Sequence, residues 1–276
     1  MLVRSLKTIA ISIFGVAYLI LGQFIGAMVA PVFPEKFTGI VSYFTYLLFV
    51  FITLMLFARF KKGGPESLGF NFIGIKWWWF VFALVLPWVL NLVMMVLLHG
   101  SIVPDPNLSG NNAIFTLIAA IISGLTAGFT EEMIFRGLLF SKVKEYSGTL
   151  VAVIFPSFVF AAAHILNGAI SIASIIMLLL GGTAVGIMFS MIRIATGSIW
   201  AGALVHSVWD ILIVSPLSES PLFSLSFNDS LKGNLLLSGG DFGIETSLPA
   251  ILLYTLVALG LYYTMKKYPS ILKLKY

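Results

Sequence analysis

The sequence predicts an all-α fold: a polytopic membrane helix bundle of about eight transmembrane helices with both termini cytoplasmic. Three observations predict it. Hydrophobic residues make up 59% of the chain against 10% charged, and the mean hydropathy is +1.06; a soluble domain lacks the polar surface to cover that. Apolar stretches near the spanning length of about 20 residues recur at eight places. Lys and Arg gather in alternate connections, which is the positive-inside bias of membrane helices.

The first stretch, 9–32, follows Arg4 and Lys7 and is longer than the apolar part of a secretory signal, so it reads as a retained helix. The second covers 38–56. Arg59, Lys61, Lys62 and Lys76 then mark an inner segment whose Gly63-Gly64-Pro65 turn and apolar-aromatic run predict a chain lying along the membrane surface. The third stretch, 77–98, opens on Trp77, Trp78 and Trp79, where an interfacial aromatic belt belongs; His99 at its far end reads as interfacial, and Asn91 as an interhelical hydrogen-bonding group. The fourth, 113–140, ends before Lys142 and Lys144. The fifth and sixth cover 149–166 and 169–191, with Arg193 expected to snorkel to the inner face. The seventh covers 198–214. The eighth, 248–263, precedes Lys266, Lys267, Lys273 and Lys275.

The opposite connections hold only Lys36 and Lys232, and the last of them carries Glu219, Asp229, Asp241 and Glu245. Span count and charge count therefore agree on the topology. The outer segment 215–247 is rich in Ser, Gly, Asn and Pro and is expected to be mobile. No soluble domain or repeat is visible, so residues 1–276 read as one integral membrane domain. With no cysteine in the chain, disulfides, thiolate metal sites and a Cys nucleophile are excluded.

Within this apolar background, "GFTEEMIFRG" at 128–137 places two acids and an arginine inside a span. Intramembrane ionisable groups are costly and usually face the bundle interior, a partner or water. Glu132 and Arg136 are i,i+4 with the acid first, the favourable order for an ion pair. Glu131 points about 100° away from Glu132, which leaves one carboxylate structural and the other available. His206 and Asp210 share a face of the seventh span, and Phe160 and His164 share a face of the fifth. A single buried histidine is usually structural, and so is a single Glu–Arg pair. Together, on separate central spans, they predict a shared functional site. A carboxylate with two imidazoles suits either metal ligation or water activation. Gly124 with Gly128, and Gly182 with Gly186, are small-xxx-small pairs that let helices approach closely. Counted from the inner ends of the spans, Glu131 and His206 lie at depths that favour a cavity open to the cytoplasmic side.

"EEMIFR", "FAAAH" at 160–164 and "HSVWD" at 206–210 match, in order, the patterns EExxxR, FxxxH and HxxxN except for the last residue. The chain resembles the CPBP family of CAAX prenyl endopeptidases and bacteriocin-processing or self-immunity proteins, with the catalytic core at 113–210. The resemblance implies an intramembrane metalloendopeptidase cutting a small membrane-associated or lipidated peptide. Glu131 would be the base that activates water, and Glu132 with Arg136 its supporting pair. His164 would hold or polarise the water, alone or through a divalent metal, and His206 with residue 210 would stabilise the oxyanion. Zinc held by Glu131, His164 and His206 is the cofactor implied. Asp210 departs from the pattern, since an amide donates where an ionised carboxylate only accepts. A protonated Asp210, an acceptor orienting His206 and a metal ligand are all open readings. The expected partners are a hydrophobic or lipidated peptide and membrane lipid, with no nucleic acid, and the expected location is a bacterial plasma membrane. A non-catalytic immunity or scaffold protein of the same fold is the alternative, and a transporter is a third reading.

Overall fold

The computed structural model describes residues 2–72, 74–99, 101–104, 113–168, 171–214, 223–226 and 234–268. Of the charges counted above, Glu219, Asp229, Lys232, Lys273 and Lys275 lie outside the described residues, as do 215–222 and 227–233 of the outer segment.

The chain forms the expected helical membrane bundle. Seven helical segments among the described residues are long and apolar enough to cross a membrane, and an eighth, Trp200–Val214, is shorter. The helices are α1 (Leu2–Val29), α2 (Thr38–Arg59), α3 (Trp78–Leu98), α4 (Ala113–Glu132), α5 (Phe140–Ser147), α6 (Thr149–Ala163), α7 (Ile172–Thr196), α8 (Trp200–Trp209) and α9 (Leu248–Lys267). Helices α4 and α5 are one continuous span, joined by the π-helical segment Met133–Leu139. A second π segment, Asp210–Val214, extends α8. Among the described residues, the one departure from helical secondary structure is a two-stranded antiparallel ribbon, Ser101–Pro104 against Phe223–Ser226.

Large apolar side chains such as Ile13, Val96, Ile114 and Leu256 point outward, as they must when the surroundings are hydrocarbon. The interior holds a small cluster of Phe140, Val143 and Ala152 and two large ones. One joins α3, α7, α8 and α9 through Leu90, Met188, Phe189, Val205 and Tyr254. The other joins α1, α2 and the π segment through Leu19, Val50, Leu54, Ile134 and Phe135. The candidate site lies where they meet.

Both glycine pairs pack as the spacing predicts. A Cβ on Gly128 would lie 2.5 Å from Ser207 N, and one on Gly124 2.8 Å from Ile211 N, so α4 and α8 cross almost backbone to backbone. Gly182 and Gly186 give α6 the same access to α7, through Ala161 and Ser157. The turn from α5 into α6 is made at Gly148, where φ is +87°, a conformation that a Cβ opposes.

Three expectations are corrected. The inner segment does not lie along the membrane surface. Leu68 and Phe70 are buried, Ile199 N donates to Gly69 O at 3.0 Å, and Asn71 Nδ2 donates to Gly197 O at 2.9 Å. The segment is a plug between α2 and the α7–α8 turn, because its apolar residues find protein partners there. Arg193 does not snorkel: it is buried, with its guanidinium packed against Gly69. Of the tryptophan triplet, Trp77 and Trp78 face outward while Trp79 enters the core, since three consecutive helical residues cannot share a face.

Candidate active site

The site is built on α4, α6 and α8, with α7 behind it. Glu132 and Arg136 are each 1% exposed and their ion pair is 2.8 Å long. Arg136 also donates to Gly186 O on α7 at 3.2 Å. Its guanidinium lies over the rings of Phe160, Phe189 and Phe135, at 4.8, 5.1 and 5.8 Å from their centroids. A charge this deep survives because every side of it meets a carboxylate, a carbonyl or an aromatic face. The π segment begins directly after Glu132; such wider turns are frequent at functional sites.

Glu131 turns away from this pair, as the helical geometry predicts. Its side chain is 20% exposed, toward a cavity. Oε1 lies 4.0 Å from His164 Nε2, and Oε2 lies 3.7 Å from His206 Nε2. Oε2 is buried and makes no hydrogen bond. A buried carboxylate oxygen without a donor is a costly state that a water in the adjoining space relieves.

The opposite nitrogens of the two histidines set their orientation. His164 Nδ1 is 2.8 Å from Phe160 O, so it donates there and presents a lone pair at Nε2. His206 Nδ1 lies 3.4 Å from Glu132 Oε1, so it too faces an acceptor. The His206 ring stacks on Phe189, with centroids 4.8 Å apart. Asp210 is buried, and its Oδ2 is 3.8 Å from His206 Nε2. His206 thus sits between Glu132 on one side and Glu131 with Asp210 on the other.

All six residues singled out in the sequence converge, but in two layers. Glu131, His164, His206 and Asp210 line the cavity, whereas Glu132 and Arg136 lie behind it and hold His206. Sequence reasoning gave Gly186 only as a helix-packing residue, and it missed Phe189, which read only as a span residue, and Glu245 and Phe242, which come from the loop before α9. The Phe242 ring lies 5.9 Å from His164, and Glu245 lines the cavity. Burial pushes the Glu245 carboxyl above its ordinary range, opposed by the nearby His164. A count of outer acids had no means of placing it there.

The cavity has a volume of about 370 Å³. Beyond the polar cluster its walls are apolar, from Leu86, Leu178, Met188, Val205 and Trp209. It lies away from the ends of the spans that carry the basic connections. His164 is at the end of α6, Val214 at the end of the α8 span, and Phe242 and Glu245 in the loop before α9, all at the end opposite the basic connections. The α4 span runs on through α5 to Ser147, so Glu131 is farther from the basic end of its span than the sequence implied.

The donor chemistry of Glu131, His164 and His206 suits zinc, with two imidazole Nε2 atoms facing one carboxylate. Their spacing does not. Bonds of about 2.0–2.2 Å place tetrahedral donors about 3.4 Å apart, and the separations here are 3.7 and 4.0 Å. Among the described residues no three His, Asp or Glu are set to hold an ion.

One known family matches part of the chain. Residues 113–212 match the family of Type II CAAX prenyl endopeptidase Rce1-like proteins. The match is consistent with the CPBP family that the three motifs resemble. The Rce1-like region runs from the start of α4 into the π segment after α8, and so contains all six residues of the constellation. The match covers 100 of the 276 residues, and the family it names is one of CAAX prenyl endopeptidases. No curated protein matched the chain in a direct search.

Proposed function

We propose that the protein is an intramembrane endopeptidase in which Glu131 activates a water held beside His164 and His206. The observation that carries this reading is the orphaned Glu131 Oε2, facing a cavity between two oriented imidazoles. A water there donates one proton to Glu131 and the other to the His164 Nε2 lone pair. Attack forms the bond from water oxygen to the peptide carbonyl carbon, and the proton passes to Glu131. The developing oxyanion needs a donor in this low-dielectric site. His206 supplies it in its doubly protonated form, with Nδ1–H toward Glu132 and Nε2–H toward the cavity. As the C–N bond breaks, Glu131 returns its proton to the leaving amine. Glu132 and Arg136 act as positioning residues.

The apolar walls suit a hydrophobic or lipidated peptide as substrate, in a bacterial plasma membrane. Glu131→Ala and His164→Ala in a membrane cleavage assay test the mechanism; full cleavage by both variants would overturn it. A non-catalytic immunity or scaffold role predicts full biological function from both variants with no cleavage by the parent protein.

A second reading is a zinc ion on Glu131, His164 and His206: their donor types suit it, and it would require the two Nε2 atoms to close on the carboxylate from 3.7 and 4.0 Å. Stoichiometric zinc in the purified protein, lost in His164→Ala, would support it. Protein that is active and metal-free excludes it.

A further inference from the structure

We infer that the cavity takes its substrate from the extracytoplasmic side of the membrane, so that the peptides cut are exported or outer-leaflet segments. This rests on the peptidase reading for the chemistry, but the direction of access rests on independent observations.

The first is the charge distribution. Arg4 and Lys7 precede the first span, Arg59, Lys61 and Lys62 follow the second, Lys142 and Lys144 follow Glu131, and Lys266 and Lys267 end the last. Among the described residues, the connections at the other end hold Lys36, Glu35, Asp241 and Glu245. Cationic connections stay in the cytoplasm, which puts the basic end inside.

The second is where the cavity stands between these ends. Its lining at the end away from the basic connections comes from Val214 at the end of the α8 span and from Phe242, Glu245 and Thr246 of the loop before α9. That loop is tied to the start of α7, where Ser171 N donates to Asp241 Oδ2 at 2.9 Å and Asp241 N donates to Ser174 Oγ at 2.9 Å. Gln23, in the half of α1 away from the N-terminus, is exposed and lines the cavity.

The third is that the inner route is filled. Below the cavity, Arg136 and Glu132 are enclosed by Phe135, Phe160 and Phe189. Below them lies the inner plug, whose Phe70 and Phe72 pack their rings against Trp200 at 5.5 and 5.4 Å. A peptide would have to unmake both layers to arrive from the cytoplasm, whereas among the described residues the cavity meets the loop before α9 at its other end.

The test uses the absence of native cysteine. Single-cysteine variants Gln23→Cys, Asp241→Cys and Lys142→Cys are made in the full chain in host bacterial cells and treated with a membrane-impermeant thiol reagent. Labelling of the first two in intact cells, with Lys142→Cys labelled only after permeabilisation, is the expected result. The reverse pattern would overturn the inference. Cleavage is then compared in right-side-out and inverted membrane vesicles supplied with an apolar peptide library. Cutting in right-side-out vesicles supports the inference, and cutting confined to inverted vesicles overturns it. Labelling requires no catalysis. The expected labelling with no cleavage in either orientation would therefore count against the peptidase reading and leave the outer opening standing.

Discussion

Glu132 Oε1 accepts a hydrogen bond from Arg136 at 2.8 Å and lies 3.4 Å from His206 Nδ1. One carboxylate oxygen thereby ties a fully buried cation on its own span to an imidazole on α8. Arg136→Ala leaves Glu132 as an uncompensated buried charge and is expected to cost about 3–5 kcal/mol. Arg136→Lys keeps the charge but loses the planar group that lies over the three phenylalanines and reaches Gly186 O. It should recover only part of that stability. Thermal unfolding in detergent measures both.

Glu131 is expected to matter for chemistry and little for stability, because it faces a cavity and holds no partner at hydrogen-bond distance on Oε2. Glu131→Gln should lower kcat by roughly 10²–10⁴-fold with the unfolding midpoint close to that of the parent. A matched loss in both would place Glu131 with Glu132 as a structural residue.

The helix crossing sets the distance between Glu131 and His206. Gly128→Ala puts a methyl 2.5 Å from Ser207 N, which only separation of α4 from α8 relieves. A stability loss of about 1–3 kcal/mol and a collapse of kcat are expected together. Gly260→Ala in α9, where nothing lies within 4 Å, should be neutral or stabilising by up to about 1 kcal/mol. The pair compares the same substitution with and without a neighbour.

These particular residues show how much the sequence revealed. The all-helical bundle, the Glu132–Arg136 pairing, the divergence of Glu131 and both glycine contacts follow from helical periodicity, which acts over one to two turns and is written locally. The plug at 65–72 and the burial of Arg193 were not legible. Both depend on which distant surface an apolar or cationic side chain finds, and periodicity carries no such information. The level of the cavity was misread for a related reason. Depth was counted along single spans, while the π segment and α5 lengthen one of them and α6 ends at His164. Phe189 behind His206 and Glu245 above it are tertiary facts with no local signal.

Asp210 stands where the resembled pattern has Asn, with Oδ2 3.8 Å from His206 Nε2. If residue 210 helps to hold the oxyanion, an amide should serve at least as well, since it donates. Asp210→Asn is expected to retain or raise kcat, and Asp210→Ala to lower it by about tenfold or more. Initial rates on one peptide decide between this role and a purely orienting one, in which Asn and Ala lose activity alike.

The loop over the cavity should loosen in acid. Asp241 is exposed, and its carboxyl is held below the ordinary range by the backbone N–H of Ser171 and by the Ser171 and Ser174 side chains. A depressed carboxylate contributes its tie above its unfolded value of about 3.9 and loses it as pH falls through the folded value. Hydrogen exchange across 234–247 should therefore rise as the pH is taken below about 4, and Asp241→Asn should show that faster exchange already at neutral pH.

The most direct measurement is a comparison of the membrane peptides that accumulate in cells producing the parent protein, Glu131→Gln or no protein at all. Glu131-activated hydrolysis predicts a set of peptides shortened only by the parent protein and left intact, at matched protein levels, in the other two strains. Identical peptide profiles from the parent and Glu131→Gln strains, both distinct from the strain without the protein, would contradict it.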